Sequence, residues 1–420
     1  MNTVGIVAEY NPFHNGHLYQ LEQAKKMTNS QYTVIIMSGN FVQRGEPSIV
    51  NKWTRTRMAL LNGADLVIEL PVHFSTSSAE FFSFASVKLL NDLGIIDNLC
   101  FGSELGNTYE LEEIASILCN EPEYFKEKLS IYLKEGFSFA TARSHALTDY
   151  LTDHHILDLP KDELTQIIKS PNNILGIEYM KSLLKLNSKI KPYAVKRVGA
   201  SYHGDNISDN LSSASAIRKI LKKSPSDFNT LAKYMPSSAY DLLETSIEAG
   251  EGPIFFDDCS SLINYKLKVS TKDQMENCID VSEGIQNRFK KAVINYSTIS
   301  DIIGYTRTRR YPISRIQRTL LHILLSLHKE DFWNFVENGF AQYVKILGFR
   351  KDSSDLLKSL KTNCNLPIIS NVKDSINVLN DTGLKMLKDE IKCSDIYNII
   401  IGDKYGTPCK NDYSHPIIII

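Results

Sequence analysis

The sequence predicts an α/β protein: a doubly wound parallel-sheet domain over residues 1–225, followed by a mainly helical region over 226–420. Three observations carry this reading. Short apolar runs alternate with segments of helical spacing through the first half, which is the order of βαβ units. The clearest of those runs lacks polar alternation, as a parallel strand covered on both faces requires. Past residue 225 strand signals become sparse and helical periodicity takes over.

Taken in order, Thr3–Ala8 is a β-rich run. His17–Met27 is helical, with Leu18, Leu21, Ala24 and Lys25 at three- and four-residue spacing. Tyr32–Ser38 is apolar throughout and bounded by polar residues. Trp53–Leu61 has helical spacing, and Asp65–Leu70 is a strand that Pro71 ends. Ser77–Leu93 is a long helix, and Asn98–Ser103 is a fourth strand with Gly102 near its end. Helices follow at Leu111–Leu118, Tyr124–Glu135 and Ile174–Leu184, then a strand at Lys191–Val198. The Ser/Lys-rich stretch Lys222–Asp227 marks the boundary. Beyond it, Asp227–Tyr234, Ser238–Glu248, Ile254–Lys268, Gly284–Tyr296, Ser300–Thr306 and Ile313–Leu327 are helical. From Gly339 the short strands Tyr343–Leu347 and Leu366–Ile369 mix with helices Ser354–Leu360 and Lys385–Lys392, which suits a small α/β lobe.

Composition narrows the function classes. Of 420 residues, 43% are hydrophobic and 23% charged, the balance of a globular chain rather than a disordered or collagen-like one. Lys and Arg number 47 against 48 acids, a net charge of -1, which excludes a uniformly basic nucleic-acid binder but not a local basic surface. The charges are sorted along the chain. Lys185–Lys223 holds nine basic residues against Asp205 and Asp209, and Arg288–Arg318 holds eight against Asp301. Leu60–Phe125 holds eleven acids against Lys88. No apolar stretch reaches the roughly 18 residues of a membrane span. Met1–Ala8 lacks the basic start of a secretion signal. Seven scattered cysteines without a C-x-x-C pair read as reduced thiols, pointing to the cytoplasm and away from a zinc or disulfide framework. Nothing calls for a membrane or a protein partner.

The strongest local signal is Gly5-Ile-Val-Ala-Glu-Tyr-Asn-Pro-Phe-His14-Asn15-Gly16-His17. The first strand ends near Ala8, Asn11-Pro12 turns the chain, and a helix begins beside two histidines. Ligands of α/β sheets bind at strand C-termini beside helix N-termini, whose free N–H groups and positive dipole end suit phosphate. Gly16 lets a nucleotide approach the backbone. Two imidazoles there can donate to phosphate oxygens and stabilise the charge that grows on a pentavalent α-phosphate and on departing pyrophosphate. A capped helix with two incidental histidines is the plain alternative, and the position at the end of the first strand argues against it. The spacing is not that of a P-loop.

His14-Asn15-Gly16-His17 on this strand–turn–helix resembles the (H/T)xGH motif of the nucleotidylyltransferase superfamily, which binds ATP on a Rossmann-like sheet and transfers a nucleotidyl group with loss of pyrophosphate. Leu211-Ser-Ser-Ala-Ser-Ala-Ile-Arg218 resembles that superfamily's ISSTxIR-type motif, with Ser215 in place of Thr. The resemblance implies that a helix N-terminus and Arg218 hold the triphosphate there. Ser213 or Ser215 can cap that helix.

Longer strings narrow the resemblance. GIVAEYNPFHNGH, MSGNFVQRGEP (37–47), KWTRTRMALLNGADLVIELP (52–71), FGSE (101–104), SPNNILGIEY (170–179) and KRVGASYH (196–203) occur in order in one chain. Together they resemble the bacterial tRNA(Met) cytidine acetate ligase family, strongly over residues 1 to about 220. The family implies an enzyme that activates acetate with ATP as acetyl-adenylate and acetylates N4 of the wobble cytidine of elongator tRNA(Met), without acetyl-CoA. It implies an ATP cradle of Val7, Ala8, Glu9, Tyr10, Asn11, Pro12, Phe13, His14, Asn15, Gly16, His17, Leu18, Tyr19 and Gln20. His14 and His17 act on the phosphates and Gly102 lies against adenosine. Of Asn172 and Asn173 either could reach nucleotide, Asn172 being preferred, and Arg197 could reach the phosphates from its strand end. Mg²⁺ is expected from the chemistry, with no carboxylate cluster to identify its ligands.

Gln43, Arg44, Glu46 and Lys52 lie in a long polar segment suited to covering a substrate. His203, beside Tyr202, is a candidate nucleotide or tRNA contact. His154 and His155 read as surface residues. Arg307, Arg309, Arg310 and Arg315, interleaved with Tyr311, read as the tRNA surface, with Arg on phosphate and Tyr stacking on a base. The alternatives are an adenylyltransferase making a dinucleotide coenzyme, for which the helical half and its arginines are superfluous, and a non-catalytic tRNA binder.

Overall fold

The computed structural model describes residues 1–197, 213–224 and 228–420. His203, Tyr202, the end of the strand expected to Val198, Leu211, Ser212 and part of the expected boundary at 222–227 lie outside the described residues.

The strands are β1 (Thr3–Ala8), β2 (Tyr32–Ser38), β3 (Phe41–Val42), β4 (Glu46–Pro47), β5 (Leu66–Leu70), β6 (Asn98–Ser103), β7 (Lys191–Lys196), β8 (Val344–Phe349), β9 (Ile368–Ile369) and β10 (Ile418–Ile419). One sheet runs β10-β8-β5-β2-β1-β6-β7, with β9 added on β8, and β3 and β4 form a separate hairpin. From β5 to β7 the sheet is parallel. The chain steps outward from β1 to β2 and β5, then returns to the other side of β1 as β6. The crevice at the C-termini of β1 and β6 is therefore the switch point where α/β sheets bind ligands.

Alternation along each strand sorts the core into two layers. Val34 and Ile36 join Leu66, Ile68 and Leu70 on one face, with Phe82, Leu89 and Leu90 of the helix Ala79–Asp92. Ile35 and Met37 join Val4, Ile6 and Val67 on the other, with Leu21 and Ala24 of the helix Asn15–Thr28 and Met58 and Leu60 of the helix Lys52–Leu61. Every residue of β2 is buried, as its unbroken apolar run predicts.

The expected small lobe after Gly339 does not stand apart. β8 pairs antiparallel with β5, and its register sets Lys345 opposite Glu69. β10 pairs parallel with β8. Helices of the second half share both apolar layers, including Ser237–Glu248 on the second and Ile313–Leu325 on the first. The helices Phe139–Asp153, Lys161–Lys169, Lys272–Glu276 and Lys329–Glu337 were not expected. In Phe139–Asp153 the buried positions include Ala142, Ser144, Ala146 and Thr148, so its inner face carries little apolar signal.

Between β5, β8 and the last long helix, Asp381–Tyr405, lies a buried charge cluster. The Lys52 ammonium meets Glu69 at 2.8 Å, Asp412 at 2.7 Å and the Ser394 hydroxyl at 3.0 Å. Lys345 meets Glu69 at 2.7 Å and also pairs with Asp412. Glu390 accepts the Val72 N–H, and burial with Glu69 nearby pushes its carboxyl up to about 8. No helix among the described residues is long and apolar enough to cross a membrane.

Candidate active site

The turn after β1 is built by its own side chains. Tyr10 takes a left-handed backbone conformation (φ 47°) and the Asn11–Pro12 peptide is cis. Asn11 Oδ1 accepts the Ile49 N–H at 2.8 Å, and Tyr10 and Phe13 are buried with their rings 4.8 Å apart. The Arg55 guanidinium, wholly buried, donates to the carbonyls of Glu9, Ser38, Gly39 and Val50, tying the ends of β1 and β2 together. The sequence reading missed this residue, because a basic residue in a polar helix start looks solvated until the strand ends are seen to converge on it.

The two histidines cap the helix Asn15–Thr28 reciprocally. His14 Nδ1 accepts the Gly16 N–H at 3.0 Å, and His17 Nδ1 accepts the His14 N–H at 3.3 Å. This is a capping box with imidazoles in place of Ser and Glu. The rings stack at 3.7 Å, and Tyr10 meets His17 edge-on at 4.9 Å. A Cβ on Gly16 would come within 2.9 Å of the His14 ring, so glycine is what permits the cap. Burial, with Arg197 and Arg218 nearby, pushes the His14 imidazole down to about 3, and burial beside His14 and Arg197 lowers His17 well below its ordinary value. Both rings are therefore neutral at neutral pH. With Nδ1 accepting in each, the proton of each ring sits on Nε2, and each Nε2–H is a donor.

Around them stand two arginines. Arg218 donates to the Asn11 carbonyl at 2.9 Å and pairs with Glu46 at 3.0 Å. It rides on the helix Ala214–Lys223, whose N-cap Ser213 accepts the Ala216 N–H at 3.2 Å and meets Ser215 at 2.9 Å. Arg197, just past β7, donates to Asn172 Oδ1 at 3.3 Å. Its aliphatic stem lies beside Gly102, where an added Cβ would sit 3.5 Å from Arg197 Cγ. Glu9 faces the same space; burial raises its carboxyl, opposed by Arg218, Arg44 and the Gln43 N–H that it accepts at 2.9 Å.

Of these groups, Glu9, His17, Gly102, Asn172 and Arg197 line one cleft of about 1320 Å³, whereas His14, Ser213, Ser215 and Arg218 are not among its lining residues. Its lining includes Val7, Ala8, Gln20, Arg307, Arg310 and Arg315 as well. Other expected residues face elsewhere. Tyr10, Asn11 and Phe13 hold the turn, while Leu18 and Tyr19 pack against the apolar layer behind it. The Asn15 backbone N–H donates to Tyr234 and its side chain to Lys233. Asn172 and Asn173 lie in the first turn of the helix Pro171–Lys185, not before it. Asn173 is turned inward: its side-chain oxygen accepts from the Ser103 hydroxyl and the Glu104 N–H, and its amide donates to Ile167. It joins strand to helix, is buried and is not among the cleft's lining residues, whereas Asn172 is. Glu104, given no role by the sequence, accepts from Asn172 Nδ2 at 2.7 Å and the Asn173 N–H at 2.9 Å, and so aims Asn172 at Arg197.

Three further expectations are corrected. Lys52 is no cover residue but the buried hub of the charge cluster, because the helix Lys52–Leu61 points it inward. The segment around Gln43 and Arg44 is the β3–β4 hairpin rather than a loop, though both residues line the cleft; Gly45 (φ 79°) sits so close to the helix Ile313–Leu325 that a Cβ would lie 2.4 Å from the Arg318 backbone nitrogen. Tyr311 cannot stack on a base: it is 7% exposed and its hydroxyl donates to the Glu283 carbonyl. Arg315 is held by Glu283 at 2.6 Å and Ser282 at 2.7 Å, and Arg309 lies outside the cleft lining, over the Phe137 ring at 5.2 Å. His154 and His155 are exposed. Among the described residues no group of three or more His, Cys, Asp or Glu is placed to hold a metal ion. The carboxylates near the turn already have protein partners: Glu9 on Gln43, Glu46 on Arg218 and Glu104 on the helix start.

The family described as HIGH Nucleotidyl Transferase matches residues 1–411. A tRNA(Met) cytidine acetate ligase of Acetivibrio thermocellus is 40% identical over 422 residues, spanning 100% of both chains. One of Halothermothrix orenii is 39% identical over 100% of this chain and 99% of its own. Among solved structures, Thermotoga maritima TmcAL bound with alpha-thio ATP superposes with a TM-score of 0.91 at 32% identity, covering 100% of this chain and 99% of that one. Its apo form gives 0.92 at 31%, covering 100% of both. With that agreement in length, sequence and fold, the chain belongs to the tRNA(Met) cytidine acetate ligase family within the HIGH nucleotidyl transferases.

Proposed function

We propose that the protein is an ATP-dependent ligase that acetylates N4 of the wobble cytidine 34 of elongator tRNA(Met), with acetate as the acetyl source. The observation that carries this is the single cleft joining the histidine turn to the arginine segment of the second half. A nucleotide site alone would serve a coenzyme-making transferase; an RNA-sized, cationic extension of it serves a polynucleotide acceptor.

In the first step an acetate oxygen attacks the α-phosphorus of ATP, the bond to the bridging oxygen breaks, and pyrophosphate leaves with the electron pair. The His14 and His17 Nε2–H groups donate to the phosphates. Because both rings are neutral and locked by the cap, they are oriented donors that need no reorganisation as charge grows. Arg197 and Arg218 supply the formal positive charge, Ser213 and Ser215 the start of a helix beside it, Gly102 a flat wall for adenosine and Asn172 a polar contact. In the second step the cytidine N4 attacks the acetyl carbon, the bond to AMP breaks, and N4 loses a proton. Mg²⁺ enters as the counter-ion of ATP rather than as a resident of the protein. On this reading residues 1–225 supply the nucleotide end and 226–420 the RNA end, with Arg307 and Arg310 nearest the cleft, and the enzyme works in the cytoplasm with its tRNA.

The test is incubation of the pure protein with ATP, acetate and tRNA(Met), followed by nucleoside mass spectrometry. N4-acetylcytidine and AMP in equal amounts are expected. Consumption of ATP without acetylated cytidine would refute the second step.

A further inference from the structure

The arginine surface expected from the sequence to bind tRNA, Arg307–Arg315, lies in the second half. The structure brings a segment of the first half against it. The guanidinium of Arg309 lies over Phe137, whose ring is also held by His145 at 5.3 Å. Two residues on, Phe139 opens the helix Phe139–Asp153, capped by Ser138. Its ring is 57% exposed, lines the cleft, and makes no ring contact among the described residues. Arg307 and Arg310 line the same cleft, are exposed, and have no side-chain partner among the described residues.

An exposed phenyl ring gains nothing from water, whereas the neighbouring Phe137 is half-buried and packs against Tyr132 and His145. A bare aromatic face beside unpaired guanidiniums is the pattern that binds single-stranded nucleic acid, with stacking on the ring and phosphates on the cations. Tyr311, the aromatic residue that the sequence offered for stacking, is buried, and among the described residues lining the cleft Phe139 is the exposed ring.

We propose that Phe139 is the stacking platform for an unpaired base of the RNA, and that Arg307 and Arg310 hold the flanking phosphates across the cleft. The RNA site is then a clamp with one jaw in each half of the chain. The identity of the RNA as an anticodon loop rests on the proposed function; the clamp itself does not.

The test compares binding of a fluorescent anticodon stem-loop of tRNA(Met) with that of a blunt RNA duplex of its stem, by anisotropy, to the full chain. Phe139→Ala is expected to weaken stem-loop binding about tenfold, the scale of one lost base stack. Phe139→Tyr should restore it, and duplex binding should not change. Arg310→Glu should weaken both RNAs and flatten the salt dependence. Circular dichroism melts check that each variant is folded. Unchanged stem-loop binding by Phe139→Ala, or equal loss for stem-loop and duplex, would overturn the proposal. Formation of N4-acetylcytidine by the unmodified protein is scored separately, so a failure of the clamp is distinguishable from a failure of the assigned reaction.

Discussion

His14 and His17 carry two tasks at once. Each Nδ1 closes a helix cap, and each Nε2–H is thereby left as a donor. His17→Ala removes a donor aimed at developing charge, and a fall of about 100-fold in acetate-dependent ATP–pyrophosphate exchange is expected, the scale of losing one such group. The depressed imidazoles also set a pH dependence of stability. The unfolded chain protonates His14 below about 6.5, whereas the folded site holds out to about 3. Between those values the unfolded state binds more protons, so stability is full above about 6.5 and is lost as pH falls towards 3. His14→Asn keeps an N-cap acceptor but has no such proton. Urea melts should show a smaller loss for this variant than for the unmodified protein between pH 7 and 5. The motif identified these residues, but not their protonation, which depends on burial and on Arg197 and Arg218 arriving from distant parts of the chain. Asn172 and Asn173 make the same point: adjacent and chemically identical, they are told apart only by which one the helix Pro171–Lys185 turns towards β6.

At the scale of elements, the site is held where strand ends meet helix starts. Glu104 follows β6 and clasps two N–H groups at the start of the helix Pro171–Lys185. Losing a carboxylate from such a start costs about 1.5–3 kcal/mol, the range for hydrogen bonds to charged groups. Glu104→Ala should lower stability by that amount in urea melts and raise KM for ATP, because Asn172 no longer steadies Arg197. Glu104→Gln, which keeps one acceptor, should recover part of both. Strands β1, β2 and β6 were legible to the residue, because each carries a short apolar run between polar or turn residues. The helix Phe139–Asp153 was not, because its inner face is Ala, Ser and Thr as much as Leu. The hairpin β3–β4 escaped notice for a different reason: two-residue strands are made by what they pack on, here the helix Ile313–Leu325 against Gly45.

Across the whole molecule, the second half is joined to the first by β8 and by the charge cluster around Lys52 and Lys345. Asp412, like Glu69, is shared by both lysines, which hold its carboxyl well below the usual range against the cost of burial. Asp412→Asn leaves two buried ammonium groups with Glu69 as their main partner. A loss of about 3–5 kcal/mol is expected by chemical denaturation, the scale for breaking a buried ion pair. If the halves were independent, the transition would split, with the first half unaffected; a single, shifted transition is expected instead. The sequence by itself determined the doubly wound α/β order, the nucleotide turn and the family, because strand periodicity and a contiguous motif are local properties of the chain. Tertiary structure decided which of two asparagines faces the cleft, that Lys52 and Tyr311 are buried, and that the last strands return to the first sheet. Those outcomes depend on contacts between residues far apart in the sequence, such as Lys345 with Glu69 and Asn173 with Ser103, and no local pattern encodes them.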